Sequence, residues 1–188
     1  IPFCVVLIGT LIFYNKDFLK KFFGIGYPGI FYAASFSACN ITFILSIQNT
    51  NVANTLIMVA LAPMLSAIMG GIFLKELPDK KTWIAIFITF ISCLYIFYDS
   101  INLGNFIGDF FGFLTALGLA CNATLARYAK DRDLVPSAVI GKLIVAIFAF
   151  FFVDNFELVN NDKFIIPLMC IMCVAIPFVL VTIAPRFI

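Results

Sequence analysis

Between Lys21 and Lys75 no residue carries a charge. One membrane-crossing helix needs about 20 apolar residues, because roughly 30 Å of hydrocarbon is crossed at 1.5 Å per residue. The run is too long for a single helix, and the polar segment Gln48-Asn49-Thr50-Asn51 divides it into a tight helical hairpin. The rest of the chain has the same character, with 63% hydrophobic and 12% charged residues over 188 positions. Soluble domains average about 25% charged residues, so the composition excludes an ordinary globular enzyme and makes lipid the solvent.

Seven stretches suit crossings: 1–14 (partial), 28–47, 52–74, 82–98, 106–126, 134–153 and 164–183. The expected fold class is therefore an all-α integral membrane bundle of many spans. Gly26-Tyr27-Pro28-Gly29, Leu77-Pro78-Asp79 and Val135-Pro136-Ser137 punctuate the breaks, since proline at a helix start forfeits no hydrogen bond. The chain opens at Ile1 inside an apolar run, without the charged region of a signal peptide, and stops at Ile188 after another such run. A fragment of a longer protein is the expectation.

Cations fall in every second connection: Lys16, Lys20 and Lys21, then Lys75, Lys80 and Lys81, then Arg127, Lys130 and Arg132, then Arg186. The intervening loops hold only Lys163, together with the acids Asp99, Asp154, Glu157 and Asp162. Positive charge is retained on the cytoplasmic side. Loops 15–27, 75–81 and 127–133 are thus expected inside, and loops 48–51, 99–105 and 154–163 outside.

Several chemistries lack their residues. There is no histidine, and all six cysteines (Cys4, Cys39, Cys93, Cys121, Cys170, Cys173) lie within expected spans. Outer-loop disulfides are not expected. Cys170 and Cys173 have CxxC spacing but no second pair, so neither a metal site nor a cofactor is expected. No phosphate-binding GxxxxGK[ST] segment and no catalytic dyad within the spans are recognisable, which argues against an enzyme. Twelve basic against ten acidic residues, without a basic block, argue against nucleic acid as a partner.

Gly104, Gly108, Gly112, Ala116, Ala120 and Thr124 recur every four residues, a small-residue groove where another helix can approach closely. Pro63, in the middle of the 52–74 span, should kink that helix. Ser35, Cys39, Thr42 and Ser46 share one face of the 28–47 helix, with Asn40 beside it, and Thr115 shares a face with Asn122. Serine and threonine can satisfy themselves on their own backbone. Asn40 and Asn122 are expected to need outside partners, either as interhelical bonds or as cavity lining. Lys142 stands within the 134–153 span, where its stem either reaches the inner interface or turns toward a cavity and an anionic substrate group. Asp109, closer to the outer surface, is expected at the solvated interface.

The stretch from Asn54 through Leu61-Ala62-Pro63 to Ala67, continued by Gly71-Ile72-Phe73-Leu74-Lys75-Glu76-Leu77-Pro78 and Trp83-Ile84-Ala85, resembles the EamA-type drug/metabolite transporter superfamily. Gly108-Asp109 followed by Ala116 is similar to the opening of that family's second half. Ala85 departs from the pattern, standing where the family often has glycine. The resemblance implies ten helices in two inverted five-helix repeats, of which this chain carries helices two to eight. Residues 1–98 would be the first repeat, without its first helix and with its second truncated. Residues 99–188 would be the second, without its last two helices. The implied function is secondary transport of small metabolites, as an exporter or permease, by alternating access at a midplane cavity between the repeats. Asn40, Met58, Asn122 and Lys142 are the candidate substrate-binding residues. The expected setting is a multi-pass protein of a bacterial inner (plasma) membrane, with lipid and a small-molecule substrate as partners and a homodimer compatible with it. A seven-helix receptor is the alternative.

Overall fold

The polar break and the prolines of the sequence become the corners of a helical structure. A computed structural model describes residues 26–75, 79–102 and 106–152, with the single positions 24 and 168. Among the described residues there is no strand. The elements are α1 (Tyr27–Asn49), α2 (Val52–Val59), α3 (Ala62–Met69), a π-helical turn (Gly70–Leu74), α4 (Lys80–Asn102), α5 (Phe106–Tyr128) and α6 (Val135–Phe152). The expected spans 1–14 and 164–183, Gly104, loop 154–163, and Cys4, Cys170 and Cys173 lie outside the described residues.

Asparagines make the hairpin after α1. Asn49 returns its side-chain amide to the Leu45 carbonyl at 2.7 Å, and Asn51 caps α2 by accepting from the Ala53 N–H at 3.2 Å. Such a cap satisfies a donor that hydrocarbon could not. Among the described residues four helical stretches are long and apolar enough to cross a membrane, Tyr27–Asn49, Val52–Leu74, Phe106–Tyr128 and Val135–Phe152. A further long helix, α4, covers the span expected at 82–98. Large apolar side chains such as Ile84, Ile88, Ile91 and Tyr95 of α4 point outward, as lipid requires. The chain is an all-α, multi-pass integral membrane protein.

The 52–74 crossing is jointed. The α-helix stops at Val59, resumes at Ala62 with Pro63 in its first turn, and widens into the π-turn from Gly70. Proline has no N–H to give to the carbonyl four residues back, that of Val59. In the break the Leu61 N–H turns instead to the Met58 carbonyl, three residues back, at 3.1 Å. Lys75 ends the π-turn in a left-handed conformation, φ 59°, with its N–H on the Gly70 carbonyl.

The chain divides into two compact units, residues 1–34 with 129–188, and residues 35–128. In the first, Asp133 accepts from the Val135 N–H at 3.2 Å and Pro136 occupies the first turn of α6. Leu134, Val135, Ala138 and Val139 are buried there, as are Ser137 and Lys142. In the second, α5 packs against α2 and α3, with α4 alongside. Its apolar core joins Met58, Leu61, Cys93 and Ala116.

Candidate functional site

Helix α5 buries a stripe of small and polar residues: Gly108, Asp109, Gly112, Thr115, Ala116, Ala120, Asn122, Thr124 and Ala126. With almost no side-chain bulk on that stripe, neighbouring backbone comes very close. A methyl group added at Gly108 would lie 2.5 Å from the Asn49 carbonyl carbon and 2.6 Å from its oxygen. One at Gly118 would lie 2.8 Å from Cys39 Cβ, and one at Gly112 would meet Met58 Cβ at 3.0 Å and Ser46 Oγ at 3.1 Å. The pairs Asn49 with Gly108, Ser46 with Gly112, and Cys39 with Gly118 run in opposite directions, so residues 35–49 lie antiparallel to α5.

Polar bonds bridge this contact. The Thr42 and Thr115 hydroxyls are 2.9 Å apart, the Ser35 hydroxyl donates to the Gly118 carbonyl at 3.3 Å, and the Cys39 thiol reaches the Thr115 carbonyl. Ser46 and Thr55 share a fully buried bond of 2.8 Å across the hairpin. Each hydroxyl has a single proton, so when one donates across the Thr42–Thr115 pair the other donates to its own helix carbonyl, Ala38 or Phe111, and the cross-helix bond competes with a backbone bond.

Against this background two side chains stand out. Asn122 is 7% exposed, and neither its amide nitrogen nor its oxygen has a hydrogen-bond partner. Asp109 is fully buried, and both carboxyl oxygens lack a partner. Buried polar groups are nearly always bonded, because an unmet group forfeits its hydration without return. The interfacial reading of Asp109 is therefore corrected. Its position, three residues before Gly112 and seven before Ala116, puts it on the buried stripe, and that spacing was the available signal.

The other candidate residues are dispersed. Asn40 is half-buried and returns its amide to the Phe36 carbonyl at 2.7 Å, so this group is met within its own helix rather than by an outside partner. Met58 is 2% exposed and lines a cavity of about 670 Å³ between α2, α3, α4 and α5. Neither Asn40 nor Asn122 lines that cavity. Its walls are apolar: Leu61, Met64, Leu65 and Ile68, then Phe110 and Phe113, and one stripe of α4 comprising Trp83, Ile86, Phe87, Phe90, Cys93 and Leu94. The sequence reading missed the stripe because α4 is apolar on all sides, which hides any preferred face. Lys142 is buried in the other unit, at 9% exposure. Pro63 lies beside the break between α2 and α3. Gly108 and Gly112 are on the α5 contact face. No cluster of three potential metal ligands occurs among the described residues.

Small-residue faces of this kind are close helix–helix interfaces in membranes, and polar groups within spanning helices turn to the bundle interior. No curated protein and no solved structure matches the chain. The model of the EamA-like transporter family matches residues 1–98, just over half of the 188 residues, and the chain belongs to that family of membrane transporters.

Proposed function

We propose that the protein is a secondary transporter that moves a small metabolite across the membrane by alternating exposure of an internal site, within an arrangement of two inverted repeats. The observation that carries this reading is the Asn122 amide, buried within a spanning helix six residues before its end at Tyr128, with a donor and an acceptor both unmet. A solute carrying hydroxyl, carboxyl or amino groups would meet both. Met58, which packs at Gly112 about 15 Å along α5 from Asn122 and lines the apolar cavity, is a separate candidate for an apolar contact. Lys142 is a separate candidate, suited to an anionic group, and is tested by itself. The orientation read from the cations, with loops 75–81 and 127–133 inside, and a bacterial inner membrane as the location belong to the same proposal.

The test is flux in vesicles containing the full-length protein, measured with a panel of radiolabelled amino acids, sugars and organic acids. Asn122→Leu should lower flux of the transported solute by about tenfold or more, the loss of one or two buried hydrogen bonds to a polar ligand, with membrane insertion unchanged. Normal flux in that variant would remove Asn122 from the path. Absence of flux for every class in the panel would count against the transporter reading itself.

A further inference from the structure

We propose that the apolar cavity between α2, α3, α4 and α5 holds an acyl chain of an anionic phospholipid whose phosphate is bound at the Lys80 end of α4. Such a site serves the protein whether or not it transports a solute. Among the described residues no side chain lining the cavity is charged; Trp83 brings the one N–H, and the Cys93 thiol is directed to the Ile57 carbonyl at 4.0 Å. A buried water needs several polar partners and a polar solute would forfeit its hydration, so neither suits this space. Left empty, it would deprive its lining of contacts on one side. A hydrocarbon chain avoids both penalties, and the volume of about 670 Å³ falls within the roughly 300–1,000 Å³ of ligand sites.

The shape of the space suits a lipid of one leaflet. Along α4 its lining runs from Trp83 to Leu94, 11 residues or about 16 Å, close to half the hydrocarbon thickness, about 15 Å. Trp83, Phe87 and Leu94 of this wall are each at least half exposed, so a chain can enter sideways from the bilayer. Met58, Leu61 and Ile86 also line the cavity but are buried, so that lipid around the outside of the bundle does not touch them.

Positive charge collects at one end of that wall. Lys80 stands three residues before Trp83 and extends its stripe by one turn, exposed at the start of α4. Beside it, the connection between α3 and α4 carries Lys75, Lys80 and Lys81 against Glu76 and Asp79. The Arg127 guanidinium adds a further cation, 3.7 Å from where a Cβ on Gly70 would stand, two residues after the lining Ile68. The first backbone N–H groups of the 23-residue α4 favour phosphate at the same place. Basic sites between spanning helices are where anionic headgroups bind, and Trp83 sits where charge gives way to hydrocarbon, as interfacial tryptophan does. One end thus matches a phosphate and the rest an acyl chain, which is the order of parts in a phospholipid.

The test is photolabelling of the full-length protein in phosphatidylcholine vesicles, using a trace of phosphatidylglycerol with a diazirine in the distal half of one acyl chain, and mass spectrometry to locate the label. Label should appear on the buried wall residues Met58 and Leu61. Phosphatidylcholine bearing the same diazirine should label them at least about fivefold less, and Lys80→Gln, an exposed position remote from the core, should lower labelling by the phosphatidylglycerol probe about fivefold, the effect of one lysine near the membrane surface. Label confined to outward residues such as Ile84 and Ile88 would overturn the proposal, as would equal labelling of Met58 and Leu61 by the two lipids. Cross-linking from benzoylphenylalanine at position 90 to another segment of the same chain, or to a second copy, would overturn it in favour of that occupant. Labelling is read without transport, so its outcome is separable from a failure to find a transported solute.

Discussion

The two sides of α5 solve the same problem in opposite ways. Toward residues 35–50 it presents glycine, threonine and alanine, and backbone meets backbone with hydroxyl bonds across the seam from Thr42 and Ser35. Toward α4 it presents Phe110 and Phe113, and large side chains leave a cavity of about 670 Å³. In lipid there is no hydrophobic driving force between helices, so adhesion comes from contact area and hydrogen bonds. The first side therefore adds backbone contact and hydrogen bonds to the packing of α5 on α2 and α3. The second is where volume remains for something else.

That contrast is sharpened most by a graded alanine series. Gly108→Ala should be the most damaging, about 3 kcal/mol or outright failure to fold, because the obstacle is the fixed Asn49 backbone. Gly118→Ala should cost less, and Gly112→Ala least, since its approaches to Met58 Cβ at 3.0 Å and Ser46 Oγ at 3.1 Å are the longest of the three and alanine gains about 1 kcal/mol of helix propensity over glycine. Unfolding in mixed micelles gives the order. If Gly112→Ala proved worse than Gly108→Ala, the backbone seam would not be the principal contact.

The hydroxyl bonds come next. Ser46→Ala should destabilise by about 1 kcal/mol, since it strands the fully buried Thr55 hydroxyl. The coupling energy in a Thr42→Val, Thr115→Val double-mutant cycle should be smaller, about 0.5 kcal/mol, because each hydroxyl has a carbonyl of its own helix as an alternative acceptor for its one proton. Equal values for the two pairs would mean that burial does not grade the seam.

The smallest effect belongs to the cavity side. Phe90→Leu should change stability by less than about 1 kcal/mol, because Phe90 is 48% exposed and already borders empty volume. A loss as large as that of Gly108→Ala would erase the distinction between the two sides.

How far each side could be read from sequence follows from the same physics. The long uncharged run and the polar Gln48–Asn51 break were enough to read the all-α multi-span class and the hairpin, and the motifs around Leu61-Ala62-Pro63 and Trp83-Ile84 carried the family. The four-residue spacing singled out Gly108 and Gly112, which lie on the buried face. Glycine has few reasons to recur in a helix, so its periodicity is informative. Phenylalanine suits lipid, cavity and core alike, so the aromatic wall of α4 left no trace in the pattern. Asn40 was given an outside partner that its amide does not need, since its own helix offers the Phe36 carbonyl. Asp109 was sent to the interface on its distance from the loop, when its place on the glycine stripe outweighed its charge.

The break at Ala60–Leu61 carries a mechanical consequence. A continuous helix answers a change in bilayer thickness by tilting as one rod, which drags both of its ends sideways. Two eight-residue rods, each about 12 Å long, with a joint between them can fold or straighten at the joint instead. The cap at Asn51 and the turn at Lys75 then keep their places while the middle of the crossing absorbs the mismatch. The joint gives this crossing a point of bending that the continuous helices beside it lack.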